Sequence, residues 1–341
     1  MLAPIIKGWN ISEKHITNTV VNNRLIRLCT ETPSGCNLKC PVCFVKKGNE
    51  KLKPIDTNIP DKVKLIIEAG KLGVEAVDIV GAGEPTIHPV LIQMINKTRE
   101  LSMKTIVFSN GATKFFEEKN IEKYRDISFV IKLWSFTKKQ NDYVGVNFDY
   151  LNQRNETLKL LIKKGFTRGE TMNLNGINRI TTRVGADILV MKSNVDEIPD
   201  IFRYCRKNNI MPLIKTFIPF DSSTPDDECS LVKLGELRDK LKDIDEREFG
   251  IKLPIDLFYP QATNCIQRVG GVYVTNEGRI YSCVGTKGEE NNPPTFIPGK
   301  GTLESFIKNR EFSGFGCEPR LINYRSRGIS IPQQIERSLL W

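Results

Sequence analysis

The sequence lacks the features that would mark a membrane, secreted or repeat protein. Its 341 residues contain no apolar run as long as the roughly 18 residues that a membrane-spanning helix needs. The N-terminal residues mix charged and polar side chains too early to form the apolar core of a secretory signal. There is neither an internal repeat nor a low-complexity tract. These absences predict a cytoplasmic globular protein without a membrane partner.

The chain also lacks blocks of like charge, although its net charge is +10. No block of about five or six like charges occurs, and basic residues often adjoin acids, as in 117–119 and 245–247. This pattern favours a solvated lysine-rich surface and does not favour nucleic acid as a partner. A basic cleft for an acidic or nucleotide-linked small molecule remains the alternative.

Cysteines are numerous, and their distribution is uneven. The nine are Cys29, Cys36, Cys40, Cys43, Cys205, Cys229, Cys265, Cys283 and Cys317. An odd count does not suit a small disulfide scaffold, in which cysteines pair. Three crowd into residues 36–43, and no other follows before Cys205. In a reducing compartment this spacing indicates metal binding.

Apolar strand-like runs alternate with helical patterns over residues 25–218. Such repeated strand–helix units predict a parallel sheet covered by helices, which is an α/β fold. About six units can form a partial (β/α)6 TIM-like barrel, in which functional residues gather at the carboxyl ends of the strands. The predicted strands are 25–30, 74–80, 105–108, 128–134, 186–191 and 212–218.

The pattern changes after the last of these strands. Residues 221–228 are polar and rich in turn formers, as in a linker. A helix near 231–243 follows, and then a hairpin formed by 271–275 and 279–283. We therefore predict a leader segment over 1–23, a partial barrel over 24–220 and a small α+β domain over 221–341.

The densest cysteine group follows the first predicted strand. Cys36, Cys40 and Cys43 have the spacing C-x3-C-x2-C. Three thiolates on one loop can reach three corners of a 4Fe–4S cube and leave the fourth iron open to a ligand. A structural zinc site is the alternative, but it needs four ligands. The nearest histidine, His88, lies beyond the next predicted strand.

This motif resembles the cluster motif of the radical S-adenosylmethionine (SAM) superfamily, C-x3-C-x-Φ-C, in which Φ is often aromatic. The resemblance extends over most of the first 220 residues. It implies a 4Fe–4S cluster on Cys36, Cys40 and Cys43, with SAM bound to the open iron. One electron from a flavodoxin- or ferredoxin-type reductant then cleaves SAM to a 5′-deoxyadenosyl radical, which abstracts hydrogen from a substrate. Val42 stands at Φ and departs from the aromatic preference.

Further positions resemble the SAM-binding residues of that superfamily. Gly81-Ala-Gly-Glu-Pro85 is similar to its GGEP motif, in which the Glu84 carboxylate or neighbouring backbone carbonyls would accept a hydrogen bond from the SAM ammonium group. By the same resemblance Ser135 and Asn194 would contact the SAM ribose, and Arg183 would pair with the SAM carboxylate. The alternatives are an ordinary turn over 109–111, a surface position for Arg183 and a helix cap for Asn194. The predicted cofactor-binding residues are Gly81, Gly83, Glu84, Ser109, Asn110, Ser135, Arg183 and Asn194.

The three cysteines in the C-terminal part form a second candidate metal set. Cys265 and Cys283 flank the predicted hairpin, and Cys317 follows. They resemble the SPASM and twitch extensions of aminocyclitol dehydrogenases and sugar epimerases, which implies a second iron–sulfur cluster. For the fourth iron of this cluster an open position, a non-cysteine ligand, Cys205 and Cys229 all stay as alternatives. Three free buried cysteines without a cluster are the alternative to the whole set.

The same resemblance implies a reaction class. We expect oxidation or epimerisation of a polar small molecule, carbohydrate-like or aminocyclitol-like. Epimerisation needs a hydrogen donor, and Cys205 and Cys229 are the spare thiols. The alternatives are a ribosomal-peptide maturase, a molybdopterin-type nucleotide cyclase and a non-enzymatic iron–sulfur protein.

Overall fold

The computed structural model describes residues 1–43, 62–146, 148–217, 226–253, 270–284 and 293–309. The strands in this part of the chain are β1 (Ala3–Ile6), β2 (Arg27–Gly35), β3 (Ala76–Gly83), β4 (Lys104–Ser109), β5 (Ser128–Lys132), β6 (Thr171–Leu174), β7 (Ile177–Thr182), β8 (Val184–Val190), β9 (Met211–Thr216), β10 (Gly271–Val274) and β11 (Ile280–Tyr281). The helices are α1 (Glu13–Val21), α2 (Lys62–Lys71), α3 (Val90–Glu100), α4 (Glu118–Ile121), α5 (Lys139–Val144), α6 (Tyr150–Lys163), α7 (Ile198–Lys207), α8 (Leu231–Ile244) and α9 (Thr302–Lys308).

The main sheet has eight strands in the order β11-β10-β2-β3-β4-β5-β8-β9. All neighbours are parallel except the β10–β11 pair. Six strands of this sheet, β2, β3, β4, β5, β8 and β9, correspond to the six that the sequence pattern predicts. The α/β fold with an open, partial TIM-like barrel is therefore confirmed.

The outer face of the sheet packs against the helices. Because side chains alternate along a strand, Val77 and Ile79 of β3 point to this side, where they join Leu65 of α2 and Leu91 of α3 in one buried cluster. Each fully buried side chain of this size contributes about 1.5–3 kcal/mol. This core holds the helices outside and leaves the inner strand faces for the lumen.

The N-terminal segment fills the amino end of the barrel, which the sequence pattern did not predict. β1 pairs with β7 and, together with β6, forms a separate three-stranded sheet. Ile6 and Trp9 pack against inner-face residues of four strands, including Val130 and Leu213. Trp9 Nε1 also donates to Asp78 Oδ1 at 3.0 Å. Part of the predicted leader therefore belongs to the barrel core.

The predicted C-terminal hairpin is present as β10 and β11, with Tyr273 opposite Tyr281. β10 also pairs in parallel with β2, where Val272 lies opposite Leu28. The hairpin thus extends the barrel sheet. The predicted domain boundary at residue 220 lies outside the described residues and stays a prediction.

Candidate functional site

The cysteine loop, residues 36–43, follows β2 at the carboxyl edge of the sheet. The neighbouring strand β3 approaches it closely, because Glu84 N donates to Gly35 O at 2.7 Å. A Cβ on Gly83 would lie 1.9 Å from Gly35 O, and one on Gly81 would lie 2.0 Å from Gly83 O. The two predicted glycines are therefore required for backbone packing beneath the cysteine loop.

Side-chain amides fasten the cysteine loop to the end of β4. Asn110 Nδ2 donates to Asn37 Oδ1 at 2.7 Å, and Asn37 Nδ2 donates to Ala112 O at 2.8 Å. Tyr150 OH donates to Asn110 O at 2.7 Å from the first turn of α6. Asn37 stands next to Cys36 in the sequence, but only the fold reveals its partner.

The end of α5 holds the same loop from another side. Lys39 N donates to Val144 O at 2.9 Å. Gly145 follows with φ +64°, and a Cβ there would lie 2.6 Å from Lys39 O. A left-handed glycine thus lets the end of α5 contact the loop backbone.

The three thiols of the loop differ in exposure. Cys36 is exposed, Cys40 is buried and Cys43 is intermediate. Although part of Cys36 is exposed, the protein atoms packed around its thiol desolvate it and raise its pKa to about 11. Within the described ranges, no three His, Cys, Asp or Glu side chains form a group that could hold a metal ion. The donor chemistry itself, three thiolates on one short loop, fits an iron–sulfur cluster.

A lysine that sequence reasoning missed lies beside one of these thiols. Lys132, the last residue of β5, places Nζ 3.2 Å from Cys40 Sγ. The same ammonium lies 4.4 Å from the centre of the Trp134 ring. Alternation along β5 could have placed Lys132 in the lumen, but its thiol neighbour follows from the fold.

Glu84 is buried and has four hydrogen-bond donors from the protein. Its Oε1 accepts from Ser109 Oγ at 2.7 Å, from Thr86 Oγ1 at 2.6 Å and from Thr86 N at 3.1 Å. Its Oε2 accepts from Asn110 N at 2.7 Å. The carboxylate therefore links the end of β3 to the end of β4. Its contact with the SAM ammonium group stays a prediction.

Ser135 and Asn194 lie together above the ends of β5 and β8. Ser135 Oγ donates to the Glu197 carboxylate at 2.5 Å. Asn194 Nδ2 donates to Trp134 O at 2.8 Å and to Leu189 O at 2.9 Å. Since the Asn194 side chain binds backbone groups, it fixes the loops that surround Ser135.

An apolar cluster borders the cysteine loop on this side. Val42 packs against Trp134, Met191 and Phe217. Trp134 Nε1 and Gln140 Nε2 are buried without a hydrogen-bond partner in the part of the chain that is described. Trp134 and Phe217 thus place two aromatic rings beside Val42, and two buried N–H donors next to them lack an acceptor among the described residues.

Charged side chains line the inner face below this cluster. Asp187 on β8 forms an ion pair with Lys215 on β9, and their side chains are 18% and 40% exposed. Lys215 Nζ also lies 5.7 Å from the centre of the Phe108 ring. The lumen therefore offers both a carboxylate and an ammonium group to a bound molecule.

Three predicted residues lie away from this edge. Arg183 precedes β8 at the amino edge and donates to Gly165 O at 3.0 Å, so its position does not favour a contact with the SAM carboxylate. Cys205 and Cys229 are buried in the outer core among helix side chains. Burial raises the pKa of Cys205 to about 12 and that of Cys229 to about 11. These positions do not favour either cysteine as a hydrogen donor to the lumen.

The second cysteine set is described only in part. Cys283 follows β11 and is half-buried. Cys265 and Cys317 lie outside the described residues. The auxiliary cluster therefore stays a prediction.

Comparison with known families decides the nature of the cysteine loop. The radical SAM superfamily model matches residues 30–183, which include the loop, the end of β3 and the ends of β4 and β5. This stretch of the chain is similar to radical SAM domains. The cofactors of that superfamily are a 4Fe–4S cluster and SAM, so the cofactors predicted from the cysteine motif are confirmed at the level of the family.

Curated relatives of this chain are distant. A GTP 3′,8-cyclase of Limosilactobacillus fermentum is 24% identical over 216 residues, which are 61% of this chain and 58% of the relative. An Fe-coproporphyrin III synthase of Methanosarcina barkeri is 23% identical over 175 residues, which are 51% of this chain and 39% of the relative. The chain thus spans well under two thirds of these relatives.

Solved radical SAM structures share the fold over a longer stretch. Streptococcus suis SuiB, bound to its precursor peptide SuiA, has a TM-score of 0.64 at 16% identity and covers 89% of this chain and 72% of its own. The enzyme anSMEcpe with AdoMet and the Kp18Cys peptide has a TM-score of 0.60 at 11% identity and covers 92% and 88%. At such identity the likeness shows the fold alone.

No helix in the described part of this chain is long and apolar enough to cross a membrane.

Proposed function

We propose that this chain is a radical SAM enzyme that cleaves SAM reductively at the cysteine loop and uses the resulting radical on a polar small molecule in the barrel lumen. One observation carries the proposal. The loop with Cys36, Cys40 and Cys43 lies at the carboxyl edge of the sheet, directly above a lumen lined by Asp187 and Lys215. Radical SAM enzymes need a reductant, for which we propose a flavodoxin- or ferredoxin-type protein.

The cluster would bind to the three cysteines of the loop, and SAM would bind beside them. Glu84, Ser109 and Asn110 form the hydrogen-bonded floor next to the loop. The apolar cluster of Val42, Trp134, Met191 and Phe217 suits contact with a flat heteroaromatic group, and the unpaired Trp134 and Gln140 N–H groups suit its acceptor atoms. We assign the adenine of SAM to the side of this cluster that faces the cysteine loop. Ser135 and Glu197 at its edge suit hydroxyl groups of the ribose.

The charged lumen supports a polar substrate. The Asp187–Lys215 pair can receive a donor and an acceptor from the same molecule. A carbohydrate-like or aminocyclitol-like molecule, changed by oxidation or epimerisation, meets this requirement. An auxiliary cluster on Cys265, Cys283 and Cys317 would be the electron acceptor of the oxidation.

A nucleotide is the second candidate substrate. It is favoured by the curated relatives, since several are GTP 3′,8-cyclases and one is a nucleotide dehydratase. Lys132 and Lys215 would supply positive charge for the phosphates.

Anaerobic reconstitution tests the proposal. The protein should bind about four irons per cubane cluster, and after reduction with dithionite it should convert SAM to 5′-deoxyadenosine. Cys40→Ala should abolish that conversion, while Cys205→Ala, in the outer core, should retain it. Retained cleavage in Cys40→Ala would contradict the assignment of the loop. Deuterium transfer into 5′-deoxyadenosine from labelled aminocyclitols or nucleotides then distinguishes the two substrate classes.

A further inference from the structure

The depth of Lys132 in the barrel lumen follows from the residues above and below it. Val130, on the same face of β5, packs with Ile6 and Trp9 at the amino end of the barrel. Trp134, two residues after Lys132, packs with Val42 of the cysteine loop. Lys132 therefore lies between the closed amino end of the barrel and the cysteine loop.

The Lys132 ammonium has no carboxylate counter-ion among the described residues. None of the ion pairs in this part of the chain includes it, and the residue opposite it on β8, Asp187, pairs with Lys215. Its polar neighbour is Cys40 Sγ at 3.2 Å, and the Trp134 ring centre lies 4.4 Å away. A cation–π contact of this kind holds an ammonium in place. The charge is thus directed at a cysteine of the loop.

A fixed positive charge beside an iron–sulfur cluster favours the reduced state, because reduction adds one negative charge nearby. The step is the one-electron conversion of the oxidised to the singly reduced cluster by an external low-potential donor, and it changes no covalent bond of the lysine. We infer that Lys132 is a positioning residue whose ammonium group raises the reduction potential of the cluster bound at Cys40. This inference rests on the proposed function, because it requires that cluster.

A redox titration of the reconstituted protein, followed by electron paramagnetic resonance, tests the inference. Lys132→Met should shift the midpoint potential to a more negative value, by on the order of a tenfold change in the reduction constant, which is about 59 mV for one electron. Lys132→Arg keeps the charge and should stay close to the wild type. Lys159→Met is the control, since it removes an exposed lysine of α6 that pairs with Glu156 on the surface. Its midpoint should not move.

The outcomes separate the two proposals. A wild-type protein that binds no cluster overturns the proposed function, and this inference with it. A cluster whose midpoint is the same in wild type and Lys132→Met overturns the inference alone, even if the affinity for SAM falls. If Lys132→Met fails to retain the cluster, retention in Lys132→Arg supports the role of the charge, and loss in both variants overturns it.

Discussion

Replacing Glu84 by alanine should destabilise the protein even before any cofactor binds. The substitution removes the acceptor of two buried donors, Asn110 N and Ser109 Oγ. Thr86 Oγ1 keeps a partner, because Thr113 Oγ1 lies 2.8 Å away. Each buried donor left unsatisfied costs about 1–3 kcal/mol, so the free energy of unfolding should fall by about 2–6 kcal/mol. Urea unfolding of the cofactor-free protein, followed by circular dichroism under anaerobic conditions, measures this loss.

Two controls sharpen the Glu84 experiment. Glu84→Gln keeps one acceptor oxygen and should lose roughly half as much stability. Glu156→Ala removes an exposed carboxylate, whose pairing with Lys159 contributes little. Should Glu84→Ala unfold within about 0.5 kcal/mol of the wild type, the carboxylate would not be a structural link. A role confined to SAM binding would then explain it better.

The remaining predictions concern the outer core and one buried lysine. Arg206→Met should lower the free energy of unfolding by about 3–5 kcal/mol, because the 1% exposed Asp245 side chain loses a partner that donates two hydrogen bonds to it. Arg203→Met breaks the exposed pair with Glu248. It should lower the free energy of unfolding by at most about 1 kcal/mol in the same urea assay. Equal losses would contradict this difference in burial. Burial lowers the pKa of Lys62 to about 8 from 10.5, so its contribution to stability should rise between those two pH values by on the order of 3 kcal/mol and be lost again as the pH falls. Urea unfolding across this range measures the free energy of unfolding of wild type and Lys62→Met. The value for wild type minus the value for the variant should become more positive as the pH rises, and a constant difference would refute this prediction.

The strands and the cysteine motif could be predicted because their signals are local. Apolar runs such as Ile106-Val107-Phe108 are buried on one or both faces, and glycine at 81 and 83 marks a point where no side chain fits. The order of the strands then follows from the preference for neighbouring parallel units. Residues at the strand ends, such as Glu84 and Ser135, could therefore be placed on one edge.

The contacts that complete the site could not be predicted in this way. Lys132 and Cys40 are far apart in the sequence, and only the close approach of β5 to the loop brings them to 3.2 Å. The N-terminal segment that places Ile6 and Trp9 in the amino end of the barrel has no periodic pattern, since β1 has only four residues. The charge of Arg183 suits a contact with the SAM carboxylate. However, the residue precedes β8 and therefore lies at the amino edge of the sheet, away from the cysteine loop. Pairings over long sequence separations depend on packing that a single sequence does not display.

The pairing of β10 with β2 has a consequence for electron transfer. β2 leads directly into the cysteine loop, and β10 leads through its turn to Cys283. The two cysteine-bearing segments therefore share one hydrogen-bonded framework in which neighbouring strands are held about 4.8 Å apart. If a redox centre binds near Cys283, as we propose, this framework would hold it at a fixed distance from a cluster on the cysteine loop. The rate of electron tunnelling between them would then be set by the fold and not by the motion of a hinge.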